Sequence, residues 1–156
     1  MPVFTSAGTT LAISAPAPAT YTEAGYEALT WTTIGEVSDL GDIPNSRTYD
    51  VVEWRNIANR GLSKAKGGFS LPEQTITVGL DPDDTGQALL TTASESDAAY
   101  SIKISNPNLG DWYGRALVMG GATTMGDVNS IVTRQVTLAY TIVSQSEDGI
   151  VFVEPA

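Results

Sequence analysis

From Ile131 to Ile142 the chain alternates strictly enough to leave little choice of local structure. Val132, Val136, Leu138, Tyr140 and Ile142 occupy one register, and Thr133, Gln135, Thr137 and Thr141 occupy the other. A period of two places successive side chains on opposite faces of a strand, so this segment predicts a strand with one buried face and one neutral polar face. Arg134 is the single charge in the apolar register. Thr75–Leu80 repeats the pattern, with Ile76, Val78 and Leu80 inward and Thr75 and Thr77 outward; Tyr100–Ser105 repeats it with Tyr100, Ile102 and Ile104. Residues 112–120 form a fourth strand, apolar on both faces, and residues 10–14 and 51–54 are shorter candidates.

Turn chemistry links these strands. Asn106-Pro107-Asn108 with Gly110 separates two of them, and Gly120-Gly121 and Gly126-Asp127 are expected to bracket the next reversal. Three strands in a row with short connections predict an antiparallel meander. One helix is expected over residues 85–94, because Asp81-Pro82-Asp83-Asp84 offers a carboxylate N-cap ahead of Gly86-Gln87-Ala88-Leu89-Leu90. Residues 33–40 are ambiguous: Ile34, Val37 and Leu40 have helical spacing, whereas Thr, Gly and Val favour a strand.

Residues 41–70 fit neither pattern. They contain Pro44, Gly61, Gly67 and Gly68 and predict at most one short strand, which makes this an unusually long connection. Five of the eight basic residues lie here: Arg47, Arg55, Arg60, Lys64 and Lys66. Asp42, Asp50 and Glu53 oppose them, so the segment carries +2 while the remainder carries −12 of the total −10. Solvated surface charge accounts for such a partition, and so does a basic arm that docks on an acidic neighbour. Pro16 and Pro18 stiffen the end of an N-terminal arm, residues 1–20, that bears no charged side chain and does not look like a secretory signal. The apolar run at residues 150–153 follows an acidic turn, and residues 147–156 are expected to form a C-terminal arm that pairs on another subunit.

The chain has no cysteine and no histidine. Disulfides, thiol nucleophiles, zinc sites of the usual kind and imidazole bases are thereby excluded. A net charge of −10 opposes duplex binding through phosphate neutralisation. Asp83 and Asp84 are better explained as caps than as a catalytic pair. Gly67-Gly68 lacks the spacing of a phosphate loop. Trp31, Trp54 and Trp112 are read as core or interface residues, and no enzyme and no cofactor are expected. With 156 residues the chain is read as one domain.

Several short elements occur in an order that resembles the major tail tube proteins of long-tailed, non-contractile (lambda-like) bacteriophages. They are Met1-Pro2 with Ala7-Gly8-Thr9-Thr10-Leu11, then Trp31 with Val37-Ser38-Asp39-Leu40, and Ser46 with Tyr49-Asp50. Gly86-Gln87-Ala88-Leu89-Leu90, Ala99-Tyr100-Ser101-Ile102-Lys103-Ile104, and Thr133-Arg134 with Val136 and Leu138 complete the series. The chain departs from the lambda protein in having no room for an added immunoglobulin-like domain, and type VI secretion tube proteins share the tube fold. The resemblance implies a mainly β fold: a β-sandwich or half-barrel with one short flanking helix and a long inter-ring loop at residues 41–70. It implies hexameric rings that stack into a tail tube, a conduit for DNA ejection, in a virion tail assembled in the host bacterial cytoplasm. Its partners would be further copies of itself, a tape measure protein, and tail terminator and distal tail proteins, with DNA passing through the bore unbound. The five basic residues would contact the next ring. Glu36, Asp39, Thr75, Thr77, Thr133, Gln135 and Thr137 are candidates to face the lumen. The alternatives are an acidic β-sandwich binding module of a virion surface or secreted protein, and a type VI secretion-like tube protein.

Overall fold

The alternating segment forms a strand over Thr133–Tyr140, with Val136, Leu138 and Tyr140 buried and Thr133, Gln135 and Thr137 on the other face. The computed structural model describes residues 3–155, so Met1 and Pro2 of the N-terminal match lie outside the described residues. In chain order the elements are β1 (Thr10–Ser14), α1 (Glu23–Glu27), β2 (Thr32–Ile34), β3 (Val37–Asp39), β4 (Thr48–Arg55) and β5 (Leu62–Ser70). There follow β6 (Glu73–Gly79), α2 (Thr85–Ser94), β7 (Tyr100–Asn106), β8 (Gly110–Thr124), β9 (Thr133–Tyr140) and β10 (Val151–Val153). The protein is mainly β. The ambiguous 33–40 stretch resolves into two short strands, and the expected helix is joined by the five-residue α1.

Eight strands make one antiparallel sheet in the order β2-β1-β7-β8-β9-β6-β3, with β10 also on β8. Consecutive strands β2 and β3 are its two terminal strands, and only Gly35 and Glu36 separate them. The sheet must therefore coil until its edges meet, which gives a half-barrel rather than a closed one, because β2 and β3 do not pair. The concave face holds the core: Leu11, Ile13, Ile76, Ile102, Ile104, Val136 and Leu138 are essentially inaccessible. Each such side chain contributes about 1.5–3 kcal/mol on leaving water.

Helix α2 closes this face. Its buried residues Gly86, Gln87, Leu90 and Ala93 recur at helical spacing, and Leu90 and Ala93 enter the core. Gly86 permits the approach, since a Cβ there would lie 2.3 Å from the Thr33 carbonyl oxygen. Asp84 is the N-cap: its carboxylate accepts from Gln87 N–H at 2.9 Å and from Gly35 N–H at 3.1 Å. Buried Gln87 donates from Nε2 to the carbonyls of Gly35 (3.2 Å) and Gly79 (2.9 Å) and accepts from Asp81 N–H at 3.1 Å. One cap and one amide thus fasten the seam where the sheet edges meet.

A second buried network crosses the opposite part of the core. Tyr140 donates to Gln74 Oε1 at 2.7 Å, and Gln74 Nε2 donates to the Leu40 carbonyl at 2.7 Å. Burial pushes the Tyr140 phenol well above its ordinary pKa. On the convex face, α1 covers the start of the sheet by stacking Tyr26 on Tyr113, with ring centroids 5.1 Å apart. Burial, reinforced by the negative charges of Asp111, Glu27 and Glu23, raises the Tyr113 pKa to about 12.

Three expectations are corrected. Gly120-Gly121 is not a turn: it lies inside β8, at a register shift against β9 between Val118 and Gly121. Gly120 has φ +84°, and a Cβ on Gly121 would fall 1.6 Å from the Gln135 carbonyl oxygen, so the glycines form a bulge and the strand continues. The apolar C-terminal run finds its partner in its own chain: β10 pairs with Asp111–Tyr113 of β8, in the row that β9 vacates when it ends at Tyr140. Within residues 41–70, expected to hold at most one short strand, residues 48–70 form the β4–β5 hairpin, a separate two-stranded ribbon. Its irregularity is confined to a bulge where Asp50 faces Gly67 and Gly68.

Candidate assembly surface

The ribbon has two unlike faces. Directly paired residues share a face, so Val51 with Lys66, Glu53 with Lys64, and Arg55 with Leu62 make one side. Val52 with Ala65 and Trp54 with Ser63 make the other. The first side is cationic and the second is neutral and apolar. All eight residues of β4 are exposed, with Trp54 at 72% and Ile57, at the tip, fully accessible. An isolated two-stranded ribbon with apolar residues in water is marginal without further contacts.

The five basic residues are not equivalent. Arg47 lies at the ribbon root, where it forms an ion pair with Asp148 of its own chain and lies 4.0 Å over the Phe69 ring. Its hydrogen bond to Asp148 raises its pKa further. Lys66 lies 4.6 Å over the Tyr49 ring, and Lys64 stands across from Glu53. Arg55 precedes the Asn56–Gly61 tip and Arg60 lies within it, and the tip is ordered by Asn56 accepting from Ala58 and Asn59 N–H.

The polar register forms a second surface. Thr75 pairs with Thr137 and Thr77 with Gln135, while Thr133 faces Gly79, so five candidate residues converge on the convex face of β6 and β9. Leu117, Ala122, Thr124 and Ala139 extend that face without adding charge. Asp39 stands across from Thr77 on β3, its carboxylate accepting from Gly41 N–H at 2.8 Å. Glu36 occupies the β2–β3 turn with φ +58°, beside Gly79.

Two features escaped the sequence reading. The ribbon's apolar side was visible in the alternation Val52-Glu53-Trp54-Arg55 and Lys64-Ala65-Lys66. The other is a cleft of about 350 Å³ walled by Phe4, Val37, Leu40, Ile43, Leu109 and Trp112. These residues come from distant segments and share no local signal. Among the described residues, no three of His, Cys, Asp and Glu gather to hold a metal ion, and no helix is long and apolar enough to cross a membrane.

No protein-family model matches the chain, and no curated protein matches its sequence. Solved structures do match. A chain of the anti-feeding prophage baseplate, solved with sixfold symmetry, is 12% identical with a TM-score of 0.68, covering 99% of this chain and 97% of that one. A chain of the sheath/tube terminator of an extracellular contractile injection system (PVC) is 16% identical, TM-score 0.63, with 98% of each chain covered. The SPP1 tail tube protein is 13% identical, TM-score 0.56, covering 85% of this chain and 73% of that one. At these identities the likeness is one of fold: the chain shares a fold with subunits of phage tails and phage-like injection particles.

Proposed function

We propose that this protein is a structural subunit of a tail tube, which closes into hexameric rings that stack into a conduit. The observation that carries the reading is the ribbon, exposed on both faces and projecting from a fold shared along its length with tail and injection-particle subunits. Ring closure would cover sheet edges that a lone half-barrel leaves open. The neutral hydroxyl face around Thr75, Thr77, Thr133, Gln135 and Thr137, bordered by Asp39 and Glu36, would line the lumen. Such a wall offers phosphates no cations to bind, so DNA slides instead of sticking. Arg55, Arg60, Lys64 and Lys66 would meet the next ring, with Arg47 holding the ribbon root. In this reading the protein has no catalytic role and needs no cofactor. It resides in a virion tail assembled in the bacterial cytoplasm, beside a tape measure protein and terminator and distal tail proteins.

The lambda-like resemblance favours a non-contractile tail. The likeness to contractile injection system chains favours a second reading, the same tube within a contracting sheath. Electron microscopy of the concentrated purified protein tests both. Rings or tubes with sixfold symmetry are expected; a protein that stays monomeric at high concentration would overturn the proposal.

A further inference from the structure

Resting on the tube reading, we infer that the cleft walled by Phe4, Val37, Leu40, Ile43, Leu109 and Trp112 receives the ribbon tip of a second copy. The cleft is open to solvent, and one wall is Val37–Leu40, which includes β3, a terminal strand of the sheet whose outer edge is unpaired. Apolar side chains close to a terminal strand suit an extended polypeptide segment. Cleft-lining Asp39 and neighbouring exposed Asp42 supply its charge, and among the described residues no basic side chain lines it.

The ribbon tip has the complementary chemistry. Between Trp54 and Leu62 it carries Arg55 and Arg60, no acidic residue, and the fully exposed Ile57. Opposite charges would steer the approach and set the register, and burial of Ile57 would hold it. Its own tip does not fill this cleft: no residue of the tip lines it, and β4, which starts after Ile43, spans about 26 Å from its root to the tip. Tip and cleft therefore meet only between copies. The two surfaces differ, so the contact is heterologous: each copy gives a tip and receives one, and the chain of contacts continues.

The absence of native cysteine gives a clean test. Ile57→Cys and Leu109→Cys proteins are purified separately, mixed, oxidised mildly and resolved by non-reducing electrophoresis. Ile57→Cys mixed with Thr92→Cys, on the exposed side of α2, is the control. Thiols held in contact experience a far higher effective concentration, so the tip–cleft pair should give on the order of tenfold more mixed dimer than the control. Adding Asp39→Lys and Asp42→Lys to the Leu109→Cys protein, or raising the salt, should remove most of that excess. Equal yields for the two pairs overturn the inference. If micrographs show tubes while yields are equal, the cleft assignment fails and the tube reading stands. If the tip–cleft pair cross-links without tubes, the contact stands and the tube reading falls.

Discussion

Strands β9 and β4 are both eight residues long, and both alternate in sequence, yet they meet opposite fates. In β9 the apolar register faces a core that α2 and the coiled sheet have already enclosed. In β4 every residue is exposed, and among the described residues it pairs with β5 alone. Alternation thus specifies a strand in both places, but only the supply of neighbours decides whether that strand stabilises the subunit. The sheet body folds for itself. The ribbon carries the same kind of pattern with no neighbour from the sheet body to bury it; in the tube reading that neighbour would be another copy.

The contrast can be broken most directly by matched truncations. Ile76→Ala, at a fully buried position of β6, should cost about 2–5 kcal/mol in denaturant unfolding. Val52→Ala, half exposed on the ribbon, should stay within about 0.5 kcal/mol and act instead on polymerisation. Equal losses of stability at the two sites would mean that the ribbon belongs to the body's folding unit.

A smaller effect is expected at the seam. Gln87→Leu keeps an apolar stem of similar size but leaves the Gly35 and Gly79 carbonyls and the Asp81 N–H without their partner. A loss of about 1–3 kcal/mol is expected, with hydrogen exchange accelerating in β2, β3 and the end of β6 before the rest of the sheet. Uniform acceleration throughout the body would show that the seam has no local role.

The smallest effect on folding belongs to charge reversal. Lys64→Glu with Lys66→Glu should shift subunit stability by no more than about 1 kcal/mol, since exposed pairs contribute little. Tube growth followed by light scattering should nevertheless slow strongly at low salt, and high salt should slow the unmodified protein at the same step. Growth at the normal rate would make the cationic side solvated decoration.

Much of the body was legible because its signals are local. Residues 10–14 and the helix at 85–94 match the expected bounds, the latter because Asp84 caps it as its position implies. The polar register of β9 was legible too, but its register against Thr75 and Thr77 was not, because pairing partners are chosen by the whole sheet. The ribbon was hidden by its bulge: Gly67 and Gly68 opposite Asp50 interrupt the alternation and read as a loop. Gly120-Gly121 misled in the same way, since glycines that allow a bulge look like glycines that allow a turn. The partner of β10 depended on where β9 stops, and the cleft on four segments meeting, neither of which a local window contains.

The pairing of β1 with β7 joins residues as far apart as Thr10 and Ser105. A closure of that span is slow, because chain entropy is lost long before contacts repay it. The ribbon needs only a six-residue turn between its strands, and hairpins of this kind form in microseconds. On a ribosome the two events separate further, for β1 must wait until β7 has emerged while both strands of the hairpin are already available to pair. A newly made chain therefore holds both strands of its projecting arm before its sheet can close, and the sheet body is complete only after β7 has returned to the first-made strand.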